Sequence, residues 1–192
     1  MITYRRRLLR EKVLQVLYAY ELSKEPLILV EEQQLDELRQ FKNDFEFAKE
    51  LISQVVQHEA DIDAVIKAKA THWEFERIAV VDRILLRMGI CELLYFPDIP
   101  PKVTINEAIE IAKLFSTTKS GPFINGILDS IHNELKSSSN LHKTGRGLMT
   151  ESLSDGSPSH QATERANHDR KMSKKGSSSK KTNRRFNSQK GV

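Results

Sequence analysis

The first 136 residues are predicted to form an all-α domain. Apolar residues recur there at steps of three and four, no stretch alternates apolar and polar residues as a half-buried strand would, and proline or glycine separates the periodic segments. These observations predict about seven helices around a single hydrophobic core, in a region whose length suits one ordinary domain.

The first predicted helix covers Tyr4 to Leu22, and Pro26 closes it. A short second helix is expected over Val30 to Phe41. A long third helix should begin near Asn43, a suitable N-cap residue, and run to Ile66. The first helix carries an apolar stripe at helical spacing, which consists of Leu9, Val13, Val16, Leu17 and Tyr20.

A turn at Thr71 and His72 precedes a short helical piece from Trp73 to Arg77. The next segment, Val80 to Phe96, is apolar on nearly all sides, so we expect it to form the buried centre of the bundle. Pro97 and the prolines that follow it end this helix, because proline lacks an N–H donor and clashes with the preceding turn.

Two further helices complete the predicted bundle. Thr104 and Glu107 form a capping-box pattern that places the start of one helix near Thr104. Gly121, which stands between a serine and a proline, separates that helix from the last one. The last helix extends from Phe123 to Leu135 and has an amphipathic face. The helical domain therefore covers residues 1–136.

Residues 137–192 form a second region with a different composition. They contain 12 Lys or Arg and 4 Asp or Glu, a net charge of +8, whereas residues 1–136 contain 18 and 22, a net charge of −4. Few large apolar residues are present to offset the backbone entropy lost on folding, about 1–2 kcal/mol per residue. We expect a disordered basic tail that either binds RNA weakly and salt-sensitively or only aids solubility.

No catalytic or metal-binding motif is evident. Gly121 and Gly126 have the spacing of a phosphate-binding loop, but Ile127 and Leu128 stand where that loop requires Lys and Ser or Thr. Cys91 is the only cysteine, which excludes an internal disulfide and fits a reducing, cytoplasmic environment. Charges interrupt the longest apolar segment, which argues against a membrane span. We expect no enzymatic activity, no metal and no cofactor.

A cluster of arginines near the N-terminus is the main functional signal. Arg6, Arg7 and Arg10 fall within a sector of about 100° on the first helix, with Tyr18 at its edge. Guanidinium groups contact phosphates and stack on bases, and tyrosine adds a stacking surface, so unpaired RNA or DNA is a suitable ligand. Alternatively, the arginines pair with Glu11 and nearby acids at a solvated helix end, and the local pattern leaves both interpretations open.

Three blocks of the sequence resemble the NusB family of transcription antitermination factors. The blocks are Arg6 to Tyr18 in the first helix, Val81 to Leu93 in the central helix, and Pro101 to Lys113 with Phe123 to Asp129 in the last two helices. The third block is the most specific, because it resembles the family's signature almost throughout. The resemblance spans about 130 residues and does not include the basic tail.

The resemblance implies two helical subdomains and no catalytic activity. It also implies binding of the boxA element of ribosomal RNA operon transcripts together with NusE, a small-subunit ribosomal protein, in a complex that lets RNA polymerase bypass terminators. Asp82 is expected to contribute to the partner protein's site, and Leu8 stands where the family often has a further arginine. The residues expected to face RNA are Arg6, Arg7, Arg10, Tyr18, Lys119 and Phe123.

Two other interpretations remain open. The same helical module resembles the N-terminal part of certain RNA cytosine methyltransferases, although no α/β domain, glycine-rich cofactor loop or catalytic cysteine follows residue 136. The other alternative is a structural interaction module, a homodimer that buries the arginine cluster. RNA-sensitive dissociation of such a dimer would favour the RNA-binding interpretation.

Overall fold

The computed structural model describes residues 2–71 and 73–148, with the backbone alone for residues 2–5. The helices are α1 (Ile2–Ser23), α2 (Leu27–Leu35), α3 (Lys42–Gln57), α4 (Glu59–Lys69), α5 (Val80–Tyr95), α6 (Pro101–Phe115) and α7 (Ser120–Ser137), with short 3-10 helices at Asp36–Leu38, Phe75–Arg77 and Gly145–Leu148. The described ranges contain no strand, so the all-α prediction is confirmed. His72, in the predicted turn, and residues 149–192, most of the predicted tail, lie outside the described residues.

Helix α5 occupies the centre of the fold, as the sequence predicts. It packs against α1, α3, α4, α6 and α7, and most of its side chains are buried. Its crossing with α7 is close, because a Cβ at Gly89 would lie 2.8 Å from Leu128 Cδ1. Any larger residue at position 89 would therefore have to displace a fully buried leucine.

Apolar side chains from all seven described helices meet in one core. The predicted stripe on α1 faces it: Leu9, Val13, Val16 and Leu17 are all buried. Burial of a side chain of this size contributes about 1.5–3 kcal/mol relative to leaving it exposed. The stripe fixes the rotation of α1 about its axis, and this rotation decides which of its polar residues reach the surface.

The predicted third helix is interrupted. His58 has φ −106° and ψ 15°, outside the α-helical range, and separates α3 from α4. Its backbone N–H donates to the carbonyls of Gln54 and Val56, and its ring stacks on Tyr95 with the centroids 4.3 Å apart. The interruption lets α4 pack against both α5 and α7. Apolar periodicity continues across His58, which is why the sequence predicts one helix.

Helix α6 begins at Pro101 rather than at Thr104. Proline suits the first position of a helix, where no N–H donor is needed. The Thr104 hydroxyl donates to Glu92 Oε2 of α5 at 2.9 Å, and Glu107 pairs with α1. The capping-box prediction is therefore wrong, because both side chains make contacts between helices instead of capping their own.

Residues 138–148, which we call the strap, follow α7 and lie against the body. Lys143 of the strap is 8% exposed, and its Nζ donates to the backbone carbonyls of Glu92 and Phe96 at 2.9 Å each. The sequence places these residues in the tail, yet they have a defined position in the fold. For residues 149–192, disorder stays a prediction.

Candidate nucleic-acid interface

Arg7 joins the first helix to α6. Its Nε donates to Glu107 Oε2 at 2.9 Å and its Nη2 donates to Glu107 Oε1 at 3.0 Å. The hydrogen bond to Glu107 raises the pKa of Arg7 above its ordinary value. The bidentate pair fixes α1 on α6 and leaves part of the Arg7 side chain exposed.

Arg10 is buried, at 4% exposed. Its Nε and Nη2 donate to the two carboxylate oxygens of Glu92 at 2.6 and 2.9 Å. Burial lowers the pKa of Arg10, but the attraction of Glu92 outweighs that effect, and the pKa lies above its ordinary value. The expectation that all three arginines form an exposed ledge is therefore corrected, because Arg10 lies at the edge of the buried stripe, three residues before Val13.

Arg6 is half-buried and lies over an aromatic ring. Its guanidinium carbon is 4.2 Å from the centroid of the Phe47 ring of α3. A cation–π contact holds a guanidinium by its face, so its N–H donors can still reach a phosphate at the edge. Arg6 therefore has the geometry that direct contact with a nucleic acid requires.

Tyr18 lies on the outer side of α1 and is 40% exposed. It is about 18 Å further along the helix than Arg6. One turn later, Glu21 accepts hydrogen bonds from Arg83 and Arg87 of α5. These bonds hold the C-terminal half of α1 against the start of α5, so Tyr18 is an exposed ring on a firmly held helix.

A second exposed cluster lies between the end of α6 and the start of α7. Lys119 is exposed, and the half-buried Phe123 meets Trp73 edge to face with the ring centroids 5.7 Å apart. With Arg77 they line a pocket of about 270 Å³. Sequence reasoning missed Trp73 and Arg77 as site residues; the one signal for the former is that it is the chain's single tryptophan.

Asp82 lines the pocket of this second cluster, although little of its surface is exposed. It is 7% exposed and accepts a hydrogen bond from Ser120 Oγ at 2.8 Å. The bond fixes the start of α7 on the start of α5. The expected contribution of Asp82 to a partner protein's site stays a prediction; beside it, Val80, Val81 and Arg83 are partly exposed.

A groove of about 500 Å³ lies beside Arg6. Arg10 of α1 and Arg146 of the strap line it as well, and four acidic residues contribute to its walls: Glu46, Glu50, Asp98 and Glu107. Sequence reasoning missed Arg146 because it assigned the whole segment after residue 136 to a disordered tail. The apolar part of the groove consists of Phe47, Phe96, Ile99, Pro100 and Val103.

The residues predicted to face RNA do not form one compact patch. Arg6 and Arg7 lie near the start of α1, Lys119 and Phe123 lie at the start of α7, and Tyr18 lies further along α1. The Glu21 bonds and the Asp82 bond place the second half of α1 and the start of α7 on the same end of α5. A ligand that reaches all of these residues has to be extended.

We searched the described residues for a metal site, a reactive cysteine and a membrane-spanning helix. They include no group of three or more His, Cys, Asp or Glu that could hold a metal ion. Cys91 is buried, and burial raises the pKa of its thiol above the ordinary value, which is the opposite of what a nucleophile needs. No helix in the described part of the chain is long and apolar enough to cross a membrane.

The family model and the similar sequences that we compared point to the same family. The model of the NusB family matches residues 7–133. A transcription antitermination protein NusB from Chloroherpeton thalassium is 50% identical over 147 residues, which are 75% of this chain and 69% of that protein. The protein of the same description from Salinibacter ruber is 42% identical over 148 residues, which are 75% of this chain and 91% of that protein.

Solved structures of similar fold agree with the sequence relatives. T. maritima NusB is 42% identical and superimposes with a TM-score of 0.64, over 67% of this chain and 91% of that chain. A structure described as antitermination factors NusB and NusE in complex with dsRNA contains a chain that is 27% identical, with a TM-score of 0.61. The match covers 68% of this chain and 98% of that chain.

Proposed function

The chain belongs to the NusB family, and on that basis we propose that it is an RNA-binding transcription antitermination factor. Its ligand is the boxA element of ribosomal RNA operon transcripts, which it binds together with the ribosomal protein NusE. The resulting complex helps RNA polymerase to bypass terminators. The protein acts in the cytoplasm, as a binding protein that catalyses no reaction and needs no cofactor.

The observation that carries this proposal is a series of cations and aromatic rings on the surface. It begins with Arg6 over Phe47, continues with the exposed Tyr18, and ends with Phe123 beside Lys119. Proteins that bind unpaired RNA combine cations that contact the phosphates with aromatic rings on which bases stack. The extended arrangement suits a single strand better than a small compact ligand.

Two ion pairs between α1 and its neighbouring helices hold α1 in the position that contact with RNA requires. Arg10 and Arg7 bind carboxylates of α5 and α6, Glu92 and Glu107, and so hold the helix that presents Arg6. Arg10 therefore supports RNA binding by positioning α1, and Arg7 does so both by positioning and through its exposed part. A site that is fixed before the ligand arrives loses less entropy on binding.

The partner protein is proposed to contact the start of α5. A solved structure of a relative is described as a complex of NusB with NusE and dsRNA, which supports a protein partner in addition to RNA. The partly exposed Val81 and Arg83 are the side chains available there. Asp82 would act from beneath them, by keeping α7 in place through Ser120.

The two alternative interpretations lead to different measurements. A homodimer that buries the first part of α1 would appear in light scattering and would dissociate when RNA is added if both use the same surface. The methyltransferase alternative gains no support from the relatives compared above, which are described as transcription antitermination proteins.

Exchange of Arg6 for glutamine tests the proposal. Fluorescence anisotropy with a labelled boxA-like RNA and NusE present should show affinity about tenfold weaker for Arg6→Gln, a loss of about 1.4 kcal/mol. Arg39→Gln is the matched control, since Arg39 is an exposed arginine that forms an ion pair with its neighbour Asp36 and, like Arg6, lies over an aromatic ring, that of Phe45. Equal affinities of the two variants would contradict the assignment of Arg6.

A further inference from the structure

The strap begins beyond the part of the chain that the family model matches, which ends at residue 133. The backbone N–H groups of Asn140 and Leu141 both donate to the carbonyl of Leu135, which ends α7 and reverses the chain. Thr144 N–H then donates to the carbonyl of Pro97 at 3.0 Å. The chain is thereby led from the end of α7 to the loop between α5 and α6.

Two anchors hold the strap in this position. Lys143 Nζ donates to the carbonyls of Glu92 and Phe96 at the end of α5, which also accept backbone hydrogen bonds from Phe96 N–H and Ile99 N–H. Gly147 is buried, and a Cβ there would lie 2.1 Å from the carbonyl oxygen of Pro97. A side chain at Gly147 would collide with backbone, so the close approach depends on glycine.

The residue between these anchors, Arg146, is exposed and lines the groove beside Arg6. The strap and α1 thus bring two arginines, 140 positions apart in sequence, to one groove. Its volume of about 500 Å³ lies within the range of pockets that hold small organic ligands, about 300–1,000 Å³. The accessible apolar floor consists of the partly exposed Ile99, Pro100 and Val103, because Phe47 and Phe96 are buried and Arg6 lies over the Phe47 ring.

The charges of the groove are mixed. Its lining includes Arg10 and Glu107, which pair with Glu92 and Arg7 respectively. The other charged residues that line it are Arg6, Arg146, Glu46, Glu50 and Asp98, so it is not a simple anion site. An unpaired nucleotide has the matching set of groups: a phosphate for the arginines, a flat apolar base for the floor, and amino or imino N–H donors for the carboxylates. An unmodified peptide lacks the phosphate that arginine guanidinium groups favour.

We propose that the strap forms one wall of a nucleotide-binding groove, in which Arg146 and Arg6 hold a backbone phosphate of unpaired RNA while the adjoining base packs on the apolar floor. This inference rests on the proposed RNA-binding function and extends it to a segment beyond the residues that the family model matches. Lys143 and Gly147 are positioning residues, because they act by placing Arg146.

The direct test uses the full-length chain and two labelled single-stranded RNAs of equal length, one boxA-like and one scrambled. Arg146→Gln should weaken binding of the boxA-like RNA about fivefold. It should also reduce the slope of log affinity against log salt concentration by about 0.7, the loss of one phosphate contact on a single strand. Arg39→Gln, the matched arginine control, should change affinity less than about twofold.

A second variant tests whether RNA affinity depends on the position of the strap as well as on the charge of Arg146. Lys143→Met releases the anchor without changing any residue that lines the groove, and we expect it to reproduce most of the affinity loss. Thermal unfolding followed by circular dichroism shows whether the body remains folded. Gly147→Ala should have the same effect, since it displaces the strap from Pro97.

Three outcomes would overturn the inference. If Arg146→Gln binds as wild type while Arg6→Gln binds weakly, the strap is not part of the RNA site, although the proposed function stands. If both variants bind as wild type, the proposed function fails as well. If Arg146→Gln weakens binding of NusE and leaves RNA binding unchanged, the groove is a protein site.

Discussion

Glu92 is the residue that joins the parts of the candidate interface. Its carboxylate, buried in α5, accepts hydrogen bonds from Arg10 and Thr104, and its backbone carbonyl accepts one from Lys143. A carboxylate is tolerated in such a place only when it is paired and hydrogen-bonded. Because the three partners come from α1, α6 and the strap, one side chain and its backbone hold three segments together.

Loss of the buried charge partner should destabilise the fold. Arg10→Met leaves Glu92 buried without a cation, and we expect the free energy of unfolding to fall by about 3–5 kcal/mol. Urea denaturation followed by circular dichroism measures this. The control Arg39→Met, at an exposed arginine, should change it by less than about 0.5 kcal/mol. If Arg10→Met and wild type have equal free energies of unfolding, the ion pair of Arg10 with Glu92 is not buried in solution.

Glu107 is expected to limit RNA affinity. Glu107→Gln removes the negative charge beside Arg7 and keeps an oxygen that can accept its hydrogen bond. RNA affinity in the anisotropy experiment should therefore rise about threefold, because the Glu107 carboxylate no longer offsets the positive charge of Arg7 that attracts a phosphate. Glu37→Gln, at an exposed acid whose contact with Lys12 spans 4.0 Å, makes the same change in net charge. If Glu37→Gln raises RNA affinity by a similar factor, the effect of Glu107→Gln comes from the change in net charge and not from Arg7.

At the residue scale, the sequence predicts the arginine cluster but not its pairing. The sequence offers Glu11 as a local acidic partner, whereas Arg7 and Arg10 pair with Glu107 and Glu92, 100 and 82 positions away. No local pattern reveals contacts at that separation. The spacing of Arg10 from the buried stripe was the available signal that its environment differs from that of Arg6.

At the scale of elements, prediction succeeds where periodicity and a chain-breaking residue coincide. Helix α5 is apolar on nearly all sides and ends just before Pro97, and it was predicted within a residue of its observed end. The break at His58 has no such marker, since the redirection of α4 comes from packing against other helices. The strap was not predicted, because a few backbone hydrogen bonds and one buried lysine hold it instead of an apolar face.

The strap should attach more firmly at alkaline pH. Burial, opposed by the nearby Glu92 and Asp98 carboxylates, lowers the pKa of Lys143 to about 8 from an ordinary value of 10.5. Between these values the unfolded chain binds a proton that the folded chain has released. The contribution of Lys143 to stability therefore increases as the pH rises through this range.

Comparison with Lys143→Met isolates this titration from that of the other groups. The difference in free energy of unfolding between wild type and Lys143→Met should shift in favour of wild type between about pH 8 and about pH 10.5. Chemical denaturation at several pH values measures the difference. A constant difference, or a shift in the other direction, would show that the Lys143 ammonium is not buried.

At the scale of the whole molecule, net charge and binding site are separate properties. The chain carries +4 overall, but residues 1–136 carry −4, and residues 149–192 alone contain 10 Lys or Arg and 4 Asp or Glu, a net charge of +6. Non-specific attraction to RNA follows net charge, whereas sequence preference needs bases held at fixed positions. If the proposed function holds, sequence preference is expected to come from the helical body, and the basic segment is expected to add either general affinity for RNA or only solubility.

One measurement tests the central claim, that the folded body recognises a particular RNA, most directly. It is the ratio of affinities for a boxA-like RNA and a scrambled RNA, determined with NusE present for the full chain and for a chain ending at Leu148. We predict a clear preference for the boxA-like RNA in both chains, while truncation weakens binding of the two RNAs by the same factor. Equal affinities for the two RNAs in the full chain, or a preference lost on truncation, would contradict the account.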